Sequence, residues 1–120
     1  MAYWVELKTF SEEKGSLTVI EKVLPFATKR VFYIYDVDDS IRGQHRHHKT
    51  IQAAICIKGS CEVYSTNGKE EAVFTLDSPN RCLIIEPEDW HSMQKFSRDA
   101  VFLVLASEEF DTEDYIYEPY

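Results

Sequence analysis

Cys61-Glu62-Val63-Tyr64-Ser65-Thr66-Asn67-Gly68-Lys69-Glu70-Glu71-Ala72-Val73-Phe74-Thr75-Leu76 reads as two short strands and the turn between them. Cys61–Ser65 and Glu71–Leu76 have strand composition, rich in β-branched and aromatic residues. Asn67-Gly68 is the pair preferred in a type I′ hairpin turn, whose two central residues both need positive φ. Working outward, the same composition returns at Trp4–Phe10, Leu17–Glu21, Arg30–Val37, Ile51–Ile57, Cys82–Ile85 and Val101–Leu105. Turn signals separate these runs: Asp38-Asp39-Ser40, Lys58-Gly59-Ser60, Ser78-Pro79-Asn80 and Pro87-Glu88-Asp89. Ser11–Ser16 reads as a polar loop or turn. Eight short strands at this spacing predict an all-β sandwich or barrel.

The chain of 120 residues is long enough for one domain and too short for two separate cores. Hydrophobic residues make up 44% and aromatic residues 13%, which suits a packed interior. No apolar run is long enough to span a bilayer. The N-terminus, Met-Ala-Tyr-Trp, has neither a basic region nor a long apolar stretch, so a cytoplasmic location is expected. With 21 acidic and 13 basic residues the formal net charge is −8, which disfavours nucleic acid and anionic lipid as partners. Much of that charge lies in a tail, residues 108–120, which is expected to make a turn of helix and dock Tyr115 and Tyr117 on the body. Cys56, Cys61 and Cys82 lack metal-site spacing and read as buried, reduced thiols.

Chemistry concentrates in Arg42-Gly43-Gln44-His45-Arg46-His47. On an extended strand residues two apart share a face, so His45 and His47 point together. Inside a barrel two such imidazoles can take and return protons near neutrality, or bind a metal. The fourth histidine of the chain, His91, follows Trp90, which reads either as core or as a stacking platform.

His45-x-His47, with Gln52 and Gly59 downstream, resembles the first cupin motif, and Pro87-Glu88-Asp89-Trp90-His91 a reduced second one. The resemblance implies a cupin-type double-stranded β-helix, or jelly-roll barrel. Metal-binding cupins usually carry glutamate where this chain has Gln52, a poorer ligand for a divalent ion. A closer resemblance, along nearly the whole chain, is to the nucleotide-sugar 3,4-ketoisomerases that act on dTDP-4-keto-6-deoxyglucose. It rests on Gly15-Ser16-Leu17, Lys29-Arg30-Val31-Phe32-Tyr33-Ile34, Arg42-Gly43-x-His45-x-His47, Pro87-x-x-Trp90-His91 and Asp114-Tyr115-Ile116, among other segments.

That resemblance implies a metal-independent isomerase, usually a homodimer, with no cofactor and a dTDP-linked 4-keto-6-deoxy sugar as ligand. His45 and His47 match the catalytic pair, one acting at carbon and the other between O3 and O4. Arg42 is a candidate for an oxygen or a phosphate. Arg30, Tyr33, His91 and Lys14 are candidates for sugar contacts, although Arg30 and Tyr33 cannot both face inward on a regular strand. Family members commonly carry two tyrosines where this chain has Phe32-Tyr33. The galacto-configured 3-keto product is favoured. The alternatives are a metal-dependent cupin using His45, His47 and His91, a 3,5-epimerase, and a catalytically silent sugar-binding domain.

Overall fold

A computed structural model describes residues 1–120. The twelve strands are β1 (Tyr3–Glu6), β2 (Lys8–Glu12), β3 (Gly15–Val19), β4 (Arg30–Ile34), β5 (Arg42–His47) and β6 (Gln52–Lys58), then β7 (Cys61–Thr66), β8 (Glu71–Leu76), β9 (Arg81–Ile85), β10 (Trp90–Gln94), β11 (Val101–Ala106) and β12 (Tyr115–Ile116). Two five-stranded sheets, ordered β1-β9-β6-β11-β4 and β12-β5-β10-β7-β8, face each other, and β2-β3 forms a separate hairpin. Every strand pairing is antiparallel. The fold is the expected cupin-like, all-β one.

Alternation builds the interior. Cys61 and Val63 of β7, Leu76 of β8 and Phe102 and Val104 of β11 point inward with Ala54, Leu83 and Ile85. Strand β6 is buried on both faces because Ile20, Leu24 and Phe26 fold over the outside of its sheet, covering Leu7, Ala53, Ile55, Cys82 and Ile84. All three cysteines are buried and unpaired.

Four expectations about local structure need correction. Asn67-Gly68 is not a two-residue type I′ turn: Gly68 has φ of 90° but Asn67 stays at negative φ. The Asn67 carboxamide instead accepts from the N–H groups of Lys69 (2.9 Å) and Glu70 (2.8 Å), which widens the loop to four residues. Trp4–Phe10 is not one strand, because β1 pairs with β9 and the chain then leaves that sheet at Leu7, whose N–H donates to the Asn80 carbonyl. Ser11–Ser16 does turn, at Glu13-Lys14, but its flanking residues are strand, the end of the β2-β3 hairpin, held by hydroxyl pairs Ser11–Ser16 (2.8 Å) and Thr9–Thr18 (2.9 Å). Strand β10 and the short β12 were not anticipated as strands; both carry polar or aromatic residues turned toward the histidines, which hides the apolar alternation.

Phe102 is 1% exposed and meets Phe96 edge-on at 5.9 Å. Replacing it with alanine removes a full aromatic ring from the inner core and should destabilise the protein by about 3–5 kcal/mol. Val31→Ala, on the exposed outer face of β4, should change stability by no more than about 0.5 kcal/mol. Urea unfolding of both variants measures the difference, and similar midpoints would contradict this assignment of the core.

Candidate active site

Strands β5 and β10 lie side by side in the second sheet and bring the histidines together. Their register places His45 opposite His91, then jumps so that Ser92 faces Gly43. The extra residue is Gln44, held with Gly43 at positive φ (62° and 82°), a β-bulge that re-aims the strand. A Cβ on Gly43 would come within 2.9 Å of the Met93 sulfur and 3.1 Å of the His91 carbonyl. Glycine therefore lets β5 close on β10 at that point. Beyond the bulge the period-two rule holds, and His45 and His47 share the inner face. Their ring centroids are 5.0 Å apart, and His45 lies 4.9 Å from His91.

Each imidazole has its Nδ1 engaged. His45 Nδ1 donates to the Gly43 carbonyl (3.1 Å) and His91 Nδ1 to the Asp89 carbonyl (3.0 Å). His47 Nδ1 meets the Asp114 carboxylate at 2.9 Å, and its Nε2 is buried without a partner. Burial pushes His91 down to about 3 and His45 to about 4, in each case helped by a neighbouring imidazole. Burial also lowers His47, against the opposing pull of Asp114. All three rings are neutral at pH 7.

A cavity of about 150 Å³ opens between the two sheets, lined on one wall by Arg42, His45 and His91 and on the other by Arg30, Phe32, Gln52 and Phe102. It is smaller than the ~300–1,000 Å³ that encloses a drug-sized ligand, so only a small ring or part of a larger ligand fits inside it. His47 does not line it directly. It sits in an adjoining recess with Thr50 and Asp114, and Arg30, Gln52 and Tyr115 line both spaces. The Arg30 guanidinium lies 4.4 Å from the Phe32 ring centroid and 5.2 Å from that of Phe110. These aromatic faces hold the cation in place. No three His, Cys, Asp or Glu side chains converge with metal-ligand geometry.

The structure thus gathers His45, His47, His91, Arg30 and Arg42. Tyr33 is not in the cavity: β4 alternates, so Phe32 points in and Tyr33 lies 61% exposed on the opposite face. Lys14 is also absent from this chain's cavity, because it occupies the exposed tip of the separate β2-β3 hairpin. Trp90 is neither core nor platform; it is half-buried on the outside, its Nε1 donating to the Tyr117 carbonyl. Two site residues were not recognised from sequence, Asp114 and Tyr115. Tyr115 packs 4.8 Å from His45 and 4.7 Å from His47 and is the only hydroxyl-bearing side chain lining the cavity. The signal for both was the Asp114-Tyr115-Ile116 segment, whose place in the site depends on the tail folding back.

An antiparallel barrel enclosing neutral histidines and unpaired arginines is a cupin-type protein, and its imidazoles can take and return protons. The model of the FdtA family (WxcM-like, C-terminal) matches residues 2–120, and the chain belongs to that family. It is 43% identical over 115 residues to the TDP-4-oxo-6-deoxy-α-D-glucose-3,4-oxoisomerase of Aneurinibacillus thermoaerophilus, covering 93% of this chain and 83% of that one. It superposes with a TM-score of 0.94 on a variant of the 3,4-ketoisomerase QdtA from Thermoanaerobacterium thermosaccharolyticum in complex with TDP-4-keto-6-deoxyglucose (38% identity, 98% of this chain, 87% of that one). A 3,4-ketoisomerase from Helicobacter canadensis is similar at TM-score 0.93 (35% identity, 98% and 90%).

The lowered histidines tie stability to pH. Unfolded, each titrates near 6.5; folded, His45 and His91 resist protonation down to about 4 and 3. Between those values the unfolded chain binds more protons, so stability falls with pH below ~6.5, by at most ~1.4 kcal/mol per pH unit for each histidine. Urea midpoints at pH 7 and pH 4.5 should therefore differ more for the wild type than for His91→Gln. Equal differences would show that His91 is not held neutral by burial.

Proposed function

We propose that this protein is a sugar-nucleotide isomerase that moves the ketone of dTDP-4-keto-6-deoxyglucose from C4 to C3. The observation that carries the reading is the His45 imidazole lining a cavity of about 150 Å³, with the His47 imidazole 5.0 Å from it in the adjoining recess. Its relatives named above as 3,4-oxoisomerase and 3,4-ketoisomerases support the same substrate class.

A proton on C3 is acidified by the adjacent C4 carbonyl. His47 Nε2 removes it, the C–H electron pair forms the C3=C4 bond, and the carbonyl electrons move onto O4. His45 relays the O3 proton to O4 through its own Nε2. Electrons from O3 then form the C3 carbonyl while the double bond takes a proton at C4 from His47, restoring both rings. Nothing is oxidised or reduced overall, and no step calls for a metal. His47 suits the carbon proton because Asp114 offsets its charge while the enediol exists. His45 faces only a carbonyl and suits a brief relay. Arg30 and Arg42, neither in an ion pair, polarise O4 or hold the diphosphate at the mouth.

The placement of the histidines favours one stereochemistry. All three histidines stand on the β5-β10 wall, and the facing wall offers mostly apolar side chains. In the gluco substrate H3 lies on the lower face of the ring. Return of the proton to C4 from that same face leaves the C4 hydroxyl axial, which is the galacto product.

The working unit we propose is a cytoplasmic homodimer. Phe10 and Leu17 of the hairpin are 53% and 60% exposed, and Val31, Tyr33 and Tyr35 form an open apolar strip along edge strand β4. A second copy of the chain would cover such surfaces. No helix is long and apolar enough to cross a membrane.

Incubation with dTDP-4-keto-6-deoxyglucose, a 3-aminotransferase and glutamate should yield a 3-amino sugar, and recovery of the unchanged 4-keto sugar would refute the reading. His45→Asn and His47→Asn should stay folded and lose roughly 10²–10⁴-fold in kcat. Chelator should leave the wild-type rate unchanged. Proton couplings at C4 of the product give its configuration, with a gluco product contradicting same-face transfer.

A further inference from the structure

Asp114 reaches the histidines from the far end of the chain. A 3₁₀ turn, Thr112–Asp114, capped by the Asp111 side chain accepting from Glu113 N–H (3.0 Å), ends at Asp114 and passes directly into β12. Strand β12 then pairs with β5, Tyr115 opposite His47. Asp114 is 4% exposed, yet no arginine or lysine side chain neutralises it. Its charge is met by four donors: the N–H groups of His48 (3.1 Å) and Lys49 (2.8 Å), the Thr50 hydroxyl, and His47 Nδ1 (2.9 Å). Burial by itself would raise this carboxyl, but the donors outweigh it and hold it below the ordinary range. The same His48 N–H is shared with the Asp114 carbonyl (2.9 Å), which ties the segment's backbone to the end of β5.

Three of the four donors do not involve the imidazole, so the carboxylate is set in position before it meets the ring. An ionised carboxylate only accepts, so the ring nitrogen facing it must carry hydrogen. The lone pair is then on Nε2, the buried atom without a partner. His45 and His91 also face acceptors, but these are neutral backbone carbonyls. Only His47 has an opposing charge directly behind it.

We propose that Asp114 is the positioning residue of the catalytic base: it fixes His47 with its proton on Nδ1, keeps the Nε2 lone pair directed away from the carboxylate toward the sugar, and balances the ring's charge after proton abstraction. The charge-balancing role rests on the isomerase reading above; the tautomer does not. The base is accordingly assembled from two ends of the fold, the ring from β5 and its counter-charge from the C-terminal tail.

Asp114→Asn separates positioning from bulk. The amide oxygen can still accept from His48 and Lys49, while the amide nitrogen faces His47 and must donate. The ring would then accept at Nδ1 and carry its proton on Nε2, the wrong form for a base. Nitrogen-15 spectra of histidine-labelled protein at pH 7 should show His47 protonated on Nδ1 in the wild type and on Nε2 in Asp114→Asn. The variant should lose roughly 10²–10⁴-fold in kcat, by analogy with removal of the aspartate charge behind a catalytic histidine, with KM within about threefold and TDP binding unchanged. Thr50→Val, which removes one donor and leaves the carboxylate, should cost kcat about threefold to tenfold, on the order of one neutral hydrogen bond, with KM unchanged.

A wild-type His47 protonated on Nε2 overturns the proposal, whatever the variants do. So does an Asp114→Asn enzyme that folds and keeps its tautomer or its kcat, or a Thr50→Val enzyme indistinguishable from wild type. A wild type with the expected tautomer but no turnover of the keto sugar would instead sink the isomerase reading, and the charge-balancing role with it.

Discussion

Two polar strands run side by side in a five-stranded sheet, and the pairing of β5 with β10 is the constraint on which the site depends. Neither strand is held by side-chain hydrophobicity alone. Strand β10 is laddered on its other side to β7, and β5 is covered on its far edge by β12. Within that frame the bulge at Gly43-Gln44 sets His45 against His91. A regular ladder would carry Gly43 and His45 through without the offset and change which residues meet. The cluster is therefore a consequence of backbone geometry, and the chemistry of three imidazoles follows from it.

Burial gives those imidazoles their character. A histidine removed from water favours its neutral form, and a neighbouring imidazole makes charging His45 or His91 harder still. The carboxylate of Asp114 acts in the opposite sense on His47 alone. One environment thus yields rings of different basicity from identical side chains: His45 and His91 against carbonyls, His47 against an anion. The isomerisation proposed above, with one proton moving between carbons and another between oxygens, would use such a division.

The tail ties the site to the periphery. Tyr120 stacks on Arg46 at 4.3 Å, donates to the Glu88 carbonyl at 2.7 Å, and lies so close to Gly68 that any side chain there would strike its ring. Tyr117 accepts from Trp90, and Tyr115 closes the inner recess. The acidic residues of this segment look like a solvated extension in composition. In three dimensions the segment spans the open edge of β5 and supplies a wall of the cavity.

Period-two alternation and turn chemistry made the barrel legible in the sequence, because an apolar face must be buried whatever partner it finds. The same rule put His45 and His47 on one face and required that either Arg30 or Tyr33 be turned outward. Which of the two it was, sequence parity could not say; the orientation of β4 against β11 turned Tyr33 to solvent and kept Arg30 inside. Strands β10 and β12 and the roles of Asp114 and Tyr115 were settled only by long-range pairing. A carboxylate sixty-seven positions from its histidine leaves no local periodicity to read. Its meaning appears when folding brings the two into hydrogen-bonding distance and removes the water between them.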